Sequence, residues 1–424
     1  MSRTYFGLRA LLTNRRIFSV ALLGFASGLP LALGAGTLQV WLASAAVDIR
    51  TIGIFALTGL PYLLKPLWAP LLDRYAVPGL GRRRGWLLIT QLAIAVILVA
   101  MAGCSPQASL SLLGVLALSL AFFSASQDIV FDAYRTELLP VAERGPGAAT
   151  SVLFYRLAML VSGALALILA DRIGWQPTYL LMAGLMALIM LVTLLAPEPQ
   201  AAGQPRSLPE AVISPLKEFL GRPQALVFLL LIVLYKLGDA AAGSLSGAFL
   251  ISGVGFTAGE VGTINKGLGL IATLVGALLG GGLLTRLRLY RALWFFGILQ
   301  ALTNLLFMAL ALAGHSYGLL LLAVAGENLA GGMGTVAFVA LLMALCDLRY
   351  TAAQYALLSA LAALGRILLG PIGGYVVVLW GWPNFFLLTF VIALPGLGVL
   401  CYLRQPVAAA ELRAATIEPE PQAQ

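Results

Sequence analysis

The stretch Ser124-Ala125-Ser126-Gln127-Asp128-Ile129-Val130-Phe131-Asp132-Ala133-Tyr134-Arg135 sets two carboxylates inside a long apolar run. Asp128 and Asp132 are four residues apart, so a helix carries them on one face, one turn above the other. If that helix crosses a bilayer, each carboxylate costs about 2.5–3.5 kcal/mol on the insertion scale, and two on one face point to a function.

Composition decides whether it does cross. The 424 residues are 61% hydrophobic and only 10% charged, with a mean hydropathy of +0.97, whereas in soluble domains about a quarter of residues are charged. The chain therefore reads as an all-α polytopic protein whose surroundings are the lipid bilayer. Its net charge of +9 does not indicate nucleic acid, because the basic residues lie in short loops between apolar spans, where they report orientation. Cys104, Cys346 and Cys401 are far apart and form no CxxC, and His315 is the single histidine. Neither a disulfide framework nor a metal site follows from that set, and no cofactor is expected. No Ser-His-Asp set or HExxH pattern suggests an enzyme. The apolar run from Ile17 continues past signal-peptide length and is read as a retained first span.

Apolar stretches of about 20 residues, enough to cross about 30 Å of hydrocarbon, begin near Ile17, Thr51, Gly85, Leu110, Gly147 and Gln176. Six more begin near Gln224, Thr257, Arg291, Tyr317, Ala352 and Pro383. Between the two sets, Pro197 to Pro223 clusters proline and charge and reads as a linker. The expected organisation is a six-helix bundle over 1–197, a cytoplasmic linker over 198–223, a second six-helix bundle over 224–404 and a disordered tail over 405–424. Basic residues gather in the loops of one side, as at Arg82, Arg83, Arg84 and at Arg286, Arg288, Arg291, while the opposite loops hold only Arg50 and Arg172. That asymmetry predicts that both termini and the linker are cytoplasmic.

The halves repeat. Arg83 aligns with Arg291 at an offset of 208, and Arg156 with Gly163 seven residues later aligns with Arg366 and Gly373 at an offset of 210. Two parallel six-span repeats around a central cavity are the architecture of the major facilitator superfamily. The element Asp73-Arg74 followed by Arg82-Arg83-Arg84 resembles that superfamily's signature loop, G-x-x-x-D-R-x-G-R-R. It departs from the pattern with Ala69 in place of the first glycine and with Ala76 to Leu80 lengthening the gap; the second copy has Thr285 in place of the aspartate. The resemblance gives Asp73, Arg74, Arg82, Arg83 and Arg84 a gating role, against the plainer reading of juxtamembrane positive charge.

The ionisable groups inside the spans are the candidates for chemistry. Asp128 and Asp132 on span four, with Arg156 on span five as their expected counter-charge, form a candidate proton-coupling site; the alternative is an ion pair that clamps the two spans. Lys236 and Asp239, three apart on span seven, satisfy each other or serve a substrate. Glu327-Asn328 on span ten is taken as the repeat counterpart of the acid pair, and Arg366 on span eleven is placed to meet it or an anionic substrate. Gln127 and Tyr155 add an amide and an aromatic face. Lys65, between Pro61 and Pro66, reads as a snorkelling lysine. Lys266 is ambiguous and ranks below the others.

A narrower resemblance rests on Gly24 to Leu31, Gly81 to Leu88, Ser124 to Ala133, Glu143-Arg144-Gly145 and Tyr155-Arg156-Leu157, which together are similar to the AmpG-type muropeptide permeases of Gram-negative bacteria. The resemblance covers most of Ile17 to Pro199, and the second half more loosely through Ala353 to Leu357 and Arg366. It implies proton-driven import of anhydro-muropeptides across the inner membrane for peptidoglycan recycling, by a monomer, with a link to β-lactam resistance. It also places Gln127, Asp128, Asp132 and Arg156 at the cavity. Many members extend beyond twelve spans; this chain ends soon after Arg404, and the extension is expected to be dispensable for the transport core. The rivals are a permease for another solute, such as a siderophore, an acyl-CoA or an exported drug, and a membrane sensor that binds muropeptide without moving it.

Overall fold

The computed structural model describes residues 14–139, 141–199, 217–346 and 351–416. Apart from one bridge between Val77 and Gly81, every regular element among them is a helix. In chain order the spans are α1 (Arg15–Ser44), α2 (Ile49–Leu64), α3 (Arg83–Ala102), α4 (Leu110–Leu138), α5 (141–173) and α6 (Trp175–Leu195). The second set is α7 (Ala225–Gly253), α8 (Ala258–Leu284), α9 (Leu289–Ala313), α10 (Tyr317–Leu345), and α11 (351–380) with α12 (382–402) inside the stretch Thr351–Tyr402. Among the described residues, ten helices are long and apolar enough to cross a membrane. The twelve expected spans are recovered because one of those ten divides at Gly381 and the shorter α2 completes the set.

Gly381 shows how the division works. Its backbone is left-handed (φ 77, ψ 170), a region that only glycine enters cheaply. Before it, Gly365 lies against Leu237; after it, Ala393 lies against Gly238, so α11 and α12 fold back along α7. Gly174 makes the same turn between α5 and α6 (φ 89, ψ 167). Each glycine is followed by a tryptophan, Trp175 and Trp382, at an offset of 207. A third landmark thus joins the two that define the repeat.

The chain forms two compact units. The first holds the chain up to Asp48, then from Leu57 through the end of α6, and Thr257–Lys266; the second holds Ile49–Ala56, α7 to Phe256, and the chain from Gly267 onward. Each expected half therefore gives one short segment to the other unit. Backbone proximity explains the exchange. Gly53 faces the carbonyl of Gly370 on α11, and a Cβ on Gly262 would lie 2.8 Å from the carbonyl oxygen of Ala164 on α5.

The core of the first unit gathers Val20, Leu23, Leu87, Val130, Phe131 and Tyr134. The second is built on Phe228, Leu231, Phe296, Leu341 and Leu358, and it also contains Leu403, Val407 and Ala410. Those last residues correct the tail expected to be disordered from 405: Arg404–Thr416 is a further helix, α13. Leu403, Val407 and Ala410 recur at intervals of four and three, which puts them on one helical stripe. The end of α13 is anchored by Glu411, whose carboxylate accepts the backbone N–H of Leu289 at 3.0 Å.

Candidate functional site

In the first unit the site forms where α1, α2 and α4 meet. The hydroxyl of Ser27 on α1 donates to the Asp128 carboxylate on α4. Prolines break α2 into short pieces, with 3-10 turns at Phe55–Gly59 and Lys65–Leu67, since proline lacks the N–H that a regular helix needs. The broken path turns two side chains onto α4: Tyr62 donates to Ser124 Oγ at 2.7 Å, and Trp68 Nε1 donates to Ser126 Oγ at 3.0 Å. Lys65 lies between these two anchors. Lys65 and Asp132 are the charges that act on Asp128, and Asp128 in turn acts on Tyr62 and Tyr155. Tyr155 packs its ring and carbonyl against Gly28 of α1. Asp128 is thus a partly buried carboxylate with one hydroxyl donor and a cation in range but not in contact.

Two expected members of the site have other surroundings. Asp132 is exposed and pairs with Arg135 on its own helix at 3.1 Å, and Arg135 also donates to Ser151 at 2.9 Å. Arg156 forms no ion pair among the described residues; it is exposed within a stripe that includes Val152, Leu153 and Leu157. The face of α5 that meets α1 carries Ser151 and Ala158 instead, so Arg156 lies off that face. The counter-charge in range is Lys65. Gln127 is 1% exposed, and neither of its amide atoms has a hydrogen bond among the described residues.

The second unit assembles a related set. Lys236 Nζ on α7 lies 3.5 Å from Asp239 Oδ2, donates to Thr335 Oγ1 on α10 at 3.3 Å and stands 5.9 Å from the centroid of Phe338. Phe338 stacks on Tyr235 with centroids 5.5 Å apart. Gln300 on α9 donates to Asp239. Lys236 follows Ser27 by 209 residues and Thr335 follows Asp128 by 207, so the α7–α10 bond is the repeat of the α1–α4 bond. The counterpart of Asp128 is therefore Thr335 rather than Glu327-Asn328, which lies about two turns earlier. Asn328 ties α10 to α8, accepting from Thr273 at 3.1 Å while its amide donates to Val324 O at 2.9 Å. Glu327 is half-buried. The side chains of Arg366, Asp73 and Arg74 lie outside the described residues.

The arginine element starts α3. Arg83 meets Glu137 with two bonds, Nε to Oε2 at 3.0 Å and NH2 to Oε1 at 2.6 Å, and Arg82 adds a third at 3.2 Å. Glu198, just beyond α6, accepts the backbone N–H groups of Arg83 at 2.8 Å and Arg84 at 2.9 Å, a carboxylate on the positive end of a helix. Arg84 donates to the carbonyls of Leu80, Leu194 and Ala196. Sequence reading misses Glu137 and Glu198, because an acid at a span end resembles a solvated loop residue; the arginine run facing Pro197-Glu198-Pro199 was the available signal. Ser27, Tyr62, Gln300 and Thr335 are missed because hydroxyls and amides in a span carry no charge to mark them. Among the described residues no group of three or more His, Cys, Asp or Glu side chains could hold a metal.

Comparison with known proteins places these features. The family described as Major Facilitator Superfamily matches residues 20–344. The anhydromuropeptide permease of Escherichia coli is 55% identical over 386 residues, covering 91% of this chain and 79% of that protein. Among solved structures, the nucleoside transporter NupG superposes with a TM-score of 0.71 at 15% identity, covering 92% of this chain and 99% of the other. A POT family transporter in complex with 5-aminolevulinic acid gives 0.73 at 13% identity, covering 92% and 96%. Those two likenesses speak for the fold. With the family match over most of its length and the permease relative beside it, the chain belongs to the Major Facilitator Superfamily, as a membrane transporter of the anhydromuropeptide permease family.

Proposed function

We propose that this transporter moves anhydro-muropeptides from the periplasm into the cytoplasm across the inner membrane, driven by the proton gradient. The observation that carries this reading is the 55% identity to a protein named as an anhydromuropeptide permease. The protein works as a monomer with both termini in the cytoplasm, and its two units alternate access to a common substrate.

Within that reading each unit has a separate task. Asp128 takes up the proton: its carboxylate accepts from the Ser27 hydroxyl and has the positive charge of Lys65 in range, a balance that depends on how much water reaches it. A group balanced in this way changes its proton occupancy when its exposure changes. Lys236 takes a carboxylate of the substrate, with Asp239 and Gln300 holding it in place and the buried ring of Phe338 backing the ammonium.

Reconstituted vesicles loaded with purified protein test the proposal. A radiolabelled anhydro-muropeptide should accumulate inside when the outside is made acidic, and a protonophore should abolish the accumulation. Saturable binding without accumulation would mean a sensor. Accumulation indifferent to the protonophore would remove the proton from the mechanism.

A further inference from the structure

Three interruptions of helical backbone meet inside the first unit. α1 breaks at Ala35 (φ −126, ψ −95) between Gly34 and Gly36. α5 opens into a π-turn over Val161–Leu165, and α8 opens into a longer one over Val261–Leu268. They pack on one another. Thr37 Oγ1, just past the first break, donates to the carbonyl of Ser162 in the second at 2.6 Å, and Gly262 in the third rests on Ala164 O and Leu167. Irregular backbone at membrane depth is tolerated only where it is buried in protein or lines a wet cavity, and π-turns gather at functional sites.

A cation occupies this junction. The Nζ of Lys266 lies 3.3 Å from the position a Cβ on Gly36 would take, and its Cβ and Cγ lie 3.9 Å from the equivalent position at Gly163. Glycines on both facing helices thus clear the room that the lysine uses. Lys266 is half-exposed, so its ammonium is not sealed in the helix packing. Beside it, Asn265 has a buried amide nitrogen without a hydrogen bond among the described residues. An amide donor and an ammonium on consecutive residues are together suited to an anion with oxygen acceptors.

We propose that Lys266 and Asn265 form a carboxylate subsite that grips the peptide stem of the substrate. The inference rests on the muropeptide reading above. Gly36 is nine residues beyond Ser27 on α1, about 14 Å along a helix axis at about 1.5 Å per residue. An extended sugar-peptide therefore reaches from the Ser27–Asp128 site to Lys266, with its charged stem at the lysine. A flexible ammonium serves this purpose as a point charge that follows a mobile carboxylate.

The test compares uptake of an anhydro-muropeptide with a free-acid stem and the same compound with its stem carboxylates amidated. The wild type should prefer the free acid. Lys266→Gln should raise KM for the free acid on the order of tenfold, the loss of one charge-assisted bond, leave KM for the amide and both kcat values nearly unchanged, and so cut the preference to the part held by Lys236. Lys266→Arg should restore most of it, and Gly36→Ala, which displaces the ammonium, should weaken the free acid alone. If Lys266→Gln instead slows both substrates alike, or lowers the thermal unfolding midpoint without changing the preference, the lysine is a helix tie and the inference falls. A wild type that takes up both forms with equal KM overturns the subsite while leaving the substrate reading intact; one that takes up neither overturns both.

Discussion

In the first unit the bond between the first and fourth helices joins the Ser27 hydroxyl to the carboxylate of Asp128; in the second, the repeat-related bond joins the ammonium of Lys236 to the Thr335 hydroxyl. One frame thus holds a hydroxyl–acid pair on one side and an amine–hydroxyl pair on the other. The flanking charges reverse as well. Asp128 has Lys65 in range without contact, whereas Lys236 is in contact with its acid, Asp239, at 3.5 Å. Duplication preserved the place where two helices touch and left the chemistry free to diverge, so that the proposed proton site and the proposed anion site need not compete for one pair of side chains.

The largest expected effect breaks this division outright. Asp128→Asn should abolish proton-driven accumulation at normal expression, while Asp132→Asn, altering an exposed acid paired along its own helix, should keep most of it; equal losses in vesicle uptake would mean that the two acids act as one site. Next, Lys236→Gln should raise KM for substrate on the order of tenfold with a smaller change in kcat, the signature of lost binding. A loss of proton coupling in that variant, read as uptake that no longer responds to the pH gradient, would erase the contrast between the units. A smaller effect tests the distant cation. Lys65→Gln removes a positive charge within range of Asp128, so the pH profile of uptake should differ from the wild type, and Lys65→Arg should keep it; an unchanged profile for Lys65→Gln would show that the lysine plays no part. The smallest effect compares the two helix caps. Glu198→Gln and Glu411→Gln should each lower stability by about 1 kcal/mol, seen as modest and similar falls in the unfolding midpoint; a much larger fall for either would show that one carboxylate does more than cap.

Much of the fold is written in the sequence, because a span announces itself by twenty apolar residues and a repeat by recurring landmarks such as Arg83 and Arg291. The glycine-tryptophan turns at Gly174 and Gly381 would have strengthened the same argument. The exchange of segments between units is not legible, since it depends on Gly53 meeting the backbone of Gly370, a contact that no periodicity predicts. At the site, Asp128 stands out because a buried acid is expensive. Its surroundings do not: Arg156 is one helix away in sequence, yet its phase on α5 sets it off the face that meets α1, and Lys65 looks like a snorkelling side chain until the breaks in α2 are seen to anchor Tyr62 and Trp68 on α4. Charge type is thus read from sequence more readily than direction, which is set by helical phase and by prolines acting at a distance.

The segment Thr257–Lys266, which completes the first unit, also has a consequence for how the protein is made. Translation must run from the end of α6 to Lys266 before that piece exists, a wait of roughly 4 to 14 s at about 5–20 residues per second. During that interval the π-turn of α5 lacks the cover that Gly262 provides and meets lipid or the insertion machinery instead. Completion of the first unit is therefore tied to synthesis of the start of the second half.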